Sequence, residues 1–263
     1  MSGRIAELSM YVAPEQVRDA SEQWLARIFE LLQVTRRDAA SLEGLELFRA
    51  PELLLAQTCG YPLMTQLRGQ VQVIGRPRYE WRDSSAGAHC SVIVSRESDP
   101  RRALSDFKNS RGVINDLHSN SGMNLFRHQL APLHQDGRFF ASIALSGAHR
   151  QSLRQVRDGW ADLASIDSVT FAYLARYAPV EVAGLRIVTR TAGAPTLPYI
   201  TALSTGSDGA ERIREAMNQA LVQLPHVSET LGLIEVLPAN EDDYRIVLDY
   251  QREAAEQGYP VLK

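Results

Sequence analysis

The sequence predicts an α/β protein in which mostly parallel sheets are flanked by helices. Short apolar runs alternate with longer segments of helical periodicity almost from end to end, as expected for parallel strands that are buried on both faces. The chain also contains no repeat of fixed period, no low-complexity tract and no Gly/Ser linker. A domain boundary should therefore consist of strands that cross between domains rather than of a flexible tether.

The elements follow from apolar runs and from helix start signals. Strands are predicted at 5–12, 53–58, 71–74, 91–94, 112–115, 139–145, 163–167, 185–190 and 199–203. Helices are predicted from Pro14 onward, at 103–107, after polar turns at 119–122 and 146–149, at 168–177, and in two closing segments at 213–224 and about 241–257.

Composition excludes several classes of function. The chain has 263 residues, 44% of them hydrophobic and 22% charged, with a formal net charge of -3, so no basic surface for nucleic acid is expected. No apolar run approaches the roughly 20 residues that span a bilayer, and the N-terminus has no secretory-signal pattern. Cys59 and Cys90 lie in apolar runs and are interpreted as two buried free thiols.

The sharpest local pattern lies at 115–122, where a strand, a polar turn and a helix start follow one another. Ser119, Asn120, Ser121 and Gly122 form the turn. Backbone N–H groups at a helix N-terminus, the helix dipole and nearby hydroxyls together bind phosphate-type oxyanions. The alternative is an ordinary helix cap, because Ser and Asn are common N-caps that usually hold no ligand.

Three further residues stand where strands end. His149 follows a strand at a turn into a helix, where a neutral imidazole can donate to an anion. Asp167 ends an apolar strand, and it either contacts a protonated oxyanion or a ligand amine, or simply caps the next helix. Tyr61 either contacts a ligand or seals the edge of a core. The remaining histidines considered lack metal-ligand spacing, so no metal is predicted: His89, His118, His128 and His134.

Several segments in order resemble the phosphate/phosphonate-binding periplasmic protein family, the solute receptors of ABC importers. These segments lie at 57–63, 119–122, 146–149, 159–170 and 197–201, and the resemblance runs to the closing 258–260. Better-known phosphonate binders usually carry Ser-Thr-Ser-Gly at the anion turn, whereas here the middle residue of the turn is Asn120.

The resemblance implies a two-lobed, type II periplasmic-binding-protein-like fold with two crossing strands as a hinge. Residues 1–90 and 197–263 would form lobe 1, and 91–196 would form lobe 2 with the anion-binding turn. The implied function is to clamp a phosphate, phosphite or phosphonate in the inter-lobe cleft for an ABC permease, without a cofactor. Tyr61 would come from lobe 1, and the turn, His149 and Asp167 from lobe 2. The implied location is the periplasm, although the lack of a signal pattern leaves the cytoplasm open.

Two alternatives compete with this interpretation. One is a cytosolic ligand sensor of the same fold. The other is an enzyme, either a thiamin-precursor synthase or a hydrolase built on Ser119 or Ser121 with His149 and Asp167. The sequence lacks the Gly-x-Ser-x-Gly elbow of hydrolases, which argues against catalysis.

Overall fold

A computed structural model describes residues 3–39 and 42–263. The first two residues and positions 40–41 of the predicted lobe 1 lie outside the described residues. Contacts divide the chain into two compact units. Unit 1 contains Met1–Ala88 and Pro195–Tyr244, and unit 2 contains His89–Ala194 and Arg245–Lys263. The chain thus passes between units three times.

Unit 1 is built on a six-stranded sheet with helices packed against it. Its strands are β1 (Arg4–Glu7), β2 (Arg36–Arg37), β3 (Leu53–Gln57), β4 (Val71–Tyr79), β12 (Tyr199–Ala202) and β13 (Leu233–Leu237), in the spatial order β13-β4-β12-β3-β1-β2. Its helices are α1 (Glu15–Leu32), α2 (Gly44–Phe48), α3 (Gly60–Gln66), α7 (Gly206–Gln223) and α8 (Pro225–Leu231). The predicted helix after Pro14 is α1, and its buried Trp24 donates from Nε1 to the Met217 carbonyl of α7 at 3.0 Å.

Unit 2 is built on a five-stranded sheet. Its strands are β6 (Ser91–Arg96), β7 (Arg111–Ile114), β8 (Ser142–Leu145), β9 (Leu163–Asp167) and β10 (Leu185–Arg190), in the spatial order β10-β6-β9-β7-β8. Its helices are α4 (Leu125–Leu130), α5 (His149–Arg157), α6 (Ser168–Tyr177) and α9 (Arg245–Glu256). A wide π-helical segment, Asn120–Asn124, leads directly into α4. Leu153 and Val156 of α5 pack on strand residues such as Val92, Val113 and Ile166 to form the core.

Both sheets are mixed rather than mostly parallel, which corrects that part of the prediction. In unit 1, β12 runs antiparallel to β3 and β4, and β13 runs antiparallel to β4. In unit 2, β6 runs antiparallel to β9 and β10, while β7 is parallel to β8 and β9. The strands β6 and β12 follow the crossings near β5 (Ala88–His89) and β11 (Ala194–Pro195). They enter their sheets without a helical crossover, so nothing forces them to be parallel.

The C-terminal segment belongs to unit 2, whereas the prediction placed it in lobe 1. Asn124 Nδ2 donates to the Val247 carbonyl at 2.9 Å, and Tyr250 Oη donates to the Gly193 carbonyl at 2.7 Å. His128 Nε2 lies 2.9 Å from Glu253 Oε2. These contacts hold α9 in unit 2, where it packs against α4.

Two smaller expectations also change in part. Cys59 and Cys90 are free thiols as predicted, but both are half-buried rather than fully buried. The segment after β3 that contains Tyr61 is the helix α3 rather than a turn. Within residues 3–39 and 42–263, no helix is long and apolar enough to span a bilayer.

Candidate functional site

Three neighbouring parallel strands of unit 2 each lead into a helix at the same edge of the sheet. The strands β8, β7 and β9 lie side by side, and helices begin after them at N-cap residues Ala148, Ser119 and Asp167. The carboxyl ends of parallel strands are where open α/β sheets hold ligands, and helix N-termini there attract anions. The structure thus brings the predicted turn, His149 and Asp167 to one edge of one sheet.

The polar turn forms a capped helix start. Ser119 Oγ accepts a hydrogen bond from the Gly122 N–H at 2.9 Å, and the Ser119 carbonyl accepts from the N–H groups of Met123 and Asn124. The first N–H groups of a helix have no acceptor within the helix itself. The cap therefore uses the Gly122 N–H, while the Ser119 hydroxyl, whose oxygen lies 3.5 Å from Ser121 Oγ, keeps a proton that it can donate.

Ser121 is fixed from two sides. Its carbonyl accepts hydrogen bonds from Ser91 Oγ at 2.9 Å and Ser165 Oγ at 2.7 Å, both from fully buried serines of β6 and β9. Its own hydroxyl oxygen lies 2.9 Å from His149 Nε2. The sheet thus holds the Ser121 backbone while His149 orients its hydroxyl.

Gly122 occupies a position that admits no side chain. A Cβ there would lie 1.7 Å from Asn115 Oδ1 and 3.1 Å from His149 Cε1. Asn115 Oδ1 is itself buried, and no hydrogen-bond partner for it is found in the part of the chain that the structure describes. Glycine is therefore required because Asn115 and His149 close around the turn.

His149 is held in its neutral form. Burial lowers the pKa of His149 to about 4, and the Asp167 carboxylate opposes this effect only in part. A neutral imidazole carries one N–H donor and one acceptor, so its tautomer decides what it offers to Ser121.

Asp167 has protein partners at both carboxylate oxygens. Oδ1 accepts from the Val169 and Thr170 N–H groups at 2.9 and 3.0 Å, which makes Asp167 the cap of α6. Oδ2 lies 2.9 Å from His89 Nδ1. Burial alone would raise the pKa of Asp167, but His89, His149 and the Thr170 N–H outweigh it and hold the pKa below its usual range.

Asn120 turns into the protein interior. Its Oδ1 accepts from Asn124 Nδ2 at 3.0 Å, and Asn124 Oδ1 accepts from Arg127 Nη2 at 2.6 Å. Arg127 Nη1 donates to the Pro260 carbonyl at 2.8 Å. The middle residue of the turn is thereby joined to α4 and to the C-terminal segment.

The profile of a family described as ABC transporter, phosphonate, periplasmic substrate-binding protein matches residues 36–244. The chain belongs to this family. The family consists of substrate-binding components of ABC transporters and not of enzymes.

Solved structures of phosphonate receptors share the fold. A binding-protein component of an ABC phosphonate transporter from Pseudomonas aeruginosa is 13% identical with a TM-score of 0.81, covering 97% of this chain and 87% of that one. A Prochlorococcus marinus protein in complex with methylphosphonate is 13% identical with a TM-score of 0.73, covering 96% and 98%. These matches confirm the two-lobed periplasmic-binding-protein-like fold.

The same fold extends to receptors of other anions. An alkanesulfonate-binding protein from Xanthomonas axonopodis pv. citri, bound to MOPS, is 14% identical with a TM-score of 0.66, covering 99% of this chain and 94% of that one. No curated protein matches the sequence significantly.

Tyr61, the remaining predicted ligand residue of this phosphonate-family chain, lies in unit 1. It is the second residue of α3 and is 8% exposed. Its carbonyl accepts a hydrogen bond from Thr65 Oγ1 at 2.7 Å. The proposed contact of Tyr61 with a ligand stays a prediction.

Four residues around the turn were missed by sequence reasoning: His89, Asn115, Asn124 and Arg127. In the sequence, His89 is one of several scattered histidines, and no local pattern links it to Asp167. Asn124 and Arg127 did carry a signal. With Asn120 they repeat at the spacing i, i+4, i+7, a polar stripe on a helix whose other face is apolar.

The other histidines lie apart from this site or on the surface. His118 is exposed, His128 contacts Glu253, and His134 Nε2 lies 2.7 Å from the Gln257 carbonyl. Within residues 3–39 and 42–263, no cluster of His, Cys, Asp or Glu is suited to a metal ion.

Proposed function

We propose that this member of the phosphonate receptor family binds a phosphonate- or phosphate-type oxyanion at the Ser119–Gly122 turn. The observation that carries the proposal is the 2.9 Å contact between Ser121 Oγ and His149 Nε2 at a helix N-terminus. A histidine that is neutral near pH 7 orients a hydroxyl there without adding charge.

The arrangement suits an anion whose negative charge lies on several oxygens. In the tautomer with a proton on Nε2, His149 donates to Ser121 Oγ, so the Ser121 hydroxyl proton is directed to the ligand. Ser119 accepts from Gly122 and donates its own hydroxyl proton to a second oxygen. The helix dipole and the remaining first-turn N–H groups stabilise the charge.

Asn120 and Asp167 contribute differently in this proposal. Asn120 supplies its backbone to the turn, because its side-chain oxygen is held by Asn124. Asp167 orders the start of α6 through Oδ1, and its Oδ2 lies 2.9 Å from His89 Nδ1. A ligand amine would have to displace one of these protein partners, so we propose that the preferred ligand carries no amine.

Two features support the proposed ligand class: the polar turn Ser119–Gly122 and the family to which the chain belongs. The relative bound to methylphosphonate supports the phosphonate end of the class. We further propose an ABC permease as the partner and the periplasm as the location, in keeping with the family description.

A thermal-shift panel tests the ligand class directly. The panel contains phosphate, phosphite, methylphosphonate and 2-aminoethylphosphonate, with MOPS and sulfate as sulfur oxyanion controls. A ligand at 100 times its dissociation constant adds about 2.7 kcal/mol to the free energy of unfolding. We expect at least one phosphorus oxyanion to raise Tm. A shift with MOPS or sulfate alone would contradict the proposal.

A further inference from the structure

Arg127 carries a buried charge with only neutral partners. The side chain is 5% exposed on α4. Its donors reach the Pro260 carbonyl and Asn124 Oδ1, and its Nε is buried with no hydrogen-bond partner. No carboxylate pairs with it among the residues that the structure describes. Arginine is rarely buried without an acid, because desolvation of the charge is costly.

The charge is linked to the anion turn by two hydrogen bonds. Arg127 Nη2 donates to Asn124 Oδ1 at 2.6 Å, and Asn124 Nδ2 donates to Asn120 Oδ1 at 3.0 Å. Both asparagine amides are therefore oriented with their oxygens toward the arginine and their amino groups away from it. Aligned hydrogen bonds polarise one another, so this chain extends the positive potential of the guanidinium toward Asn120, between Ser119 and Ser121.

We propose that Arg127 is the fixed cation of the anion site and makes it prefer doubly charged oxyanions over singly charged ones. This inference rests on the proposed function. Arg127 is a positioning residue that acts through Asn124 and Asn120 rather than by touching the ligand. The ligand's second negative charge supplies the counter-charge that the described residues do not place beside Arg127.

The competing explanation is that Arg127 only ties the C-terminal segment to α4 through Pro260. The two explanations differ in what a charge-preserving substitution does. Arg127→Lys and Arg127→Met both lose the forked contacts to Pro260 and Asn124, but only Arg127→Lys keeps a cation. His128→Gln is the matched control, because it changes the contact of α4 with Glu253 of α9 and keeps the buried arginine.

The experiment measures methylphosphonate affinity by calorimetry at pH values below and above the second pKa of the ligand. The monoanion and the dianion are thereby compared. The wild type should prefer the dianion by about tenfold or more, and Arg127→Met should lower dianion affinity about tenfold and monoanion affinity about threefold. Arg127→Lys should retain the dianion preference, and His128→Gln should leave both affinities unchanged. Asp167 and His149 are the same in all variants, so their titration cancels in the comparison.

Three results would overturn the inference. One is an equal loss in Arg127→Met and Arg127→Lys, and another is an unchanged dianion-to-monoanion ratio in Arg127→Met. The third is a wild-type protein that binds the monoanion and the dianion equally. This result would overturn the inference even if Arg127→Met does not fold. A wild type that binds no phosphorus oxyanion overturns the proposed function itself, and the role of Arg127 with it. A wild type that binds phosphorus oxyanions without preferring the dianion overturns only the role of Arg127.

Discussion

His89 Nδ1 lies 2.9 Å from Asp167 Oδ2, and both side chains are buried in unit 2. The carboxylate that ends β9 is therefore engaged by the residue that begins unit 2 after the first crossing. Its other oxygen caps α6. This relationship bears on which ligands the site accepts, because an acid that is already satisfied gives a ligand amine little to bind.

The first prediction concerns ligands with an amine. We expect the wild type to bind methylphosphonate at least as tightly as 2-aminoethylphosphonate. His89→Gln removes the imidazole that contacts Asp167 Oδ2 and leaves an amide in its place, so it should shift the affinity ratio toward the amino ligand by about tenfold. Calorimetric titration of both ligands measures the ratio.

A matched control for this shift is the double variant His89→Gln/Asp167→Asn. With the carboxylate gone, the ratio should return toward the wild-type value. If the wild type already prefers 2-aminoethylphosphonate strongly, Asp167 is available to ligand amines and the amine-free preference is wrong.

The second prediction concerns the hydroxyl oriented by His149. Ser121→Ala should weaken anion binding by about 1.5–3 kcal/mol, the usual contribution of a hydrogen bond to a charged group. Ser142→Ala on β8 is the control, because Ser142 is an exposed serine of the same unit. Equal affinities for Ser121→Ala and Ser142→Ala in calorimetry would show that the turn is only a helix cap.

Local patterns explain which elements were predictable. The boundaries of β9 and α6 coincide with the prediction, since an uninterrupted apolar run is followed at once by Asp167, an N-cap. The sequence pattern also predicted that a helix begins at Ser119–Gly122. These features depend on neighbours in the chain, so a pattern can reveal them.

Long-range contacts explain what was not predictable. The C-terminal helix belongs to unit 2 because Val247 and Glu253 meet Asn124 and His128, which lie far away in sequence. An amphipathic helix shows that it has an apolar face but not which surface that face covers. The direction of β6 was missed for a similar reason, since strand pairing is a tertiary property.

The third prediction concerns the close approach at Gly122. Gly122→Ala should lower ligand affinity at least about tenfold, because its Cβ would lie 1.7 Å from Asn115 Oδ1 and must displace that side chain or the turn. Gly193→Ala is the control, since the nearest atom to a Cβ there is 3.7 Å away. Adding Asn115→Ala to Gly122→Ala should restore part of the lost stability in thermal unfolding. If Gly122→Ala alone binds normally, the turn has room that the structure does not show.

The fourth prediction concerns pH. The pKa of His149 falls from an ordinary 6.5 to about 4 in the folded protein. Between these two pH values His149 is therefore protonated in the unfolded chain but neutral in the folded one. Stability should therefore decrease as pH falls from about 6.5 to 4, by up to about 3 kcal/mol from this residue. The carboxylate of Asp167 acts at lower pH, because its lowered pKa makes its stabilisation disappear only as pH falls through that value. Urea unfolding between pH 7.5 and 4.5 measures the slope, and His149→Gln should flatten it. An equally steep slope in His149→Gln would mean that His149 is free to protonate in the folded state, and that the neutral donor assigned to the anion site is wrong.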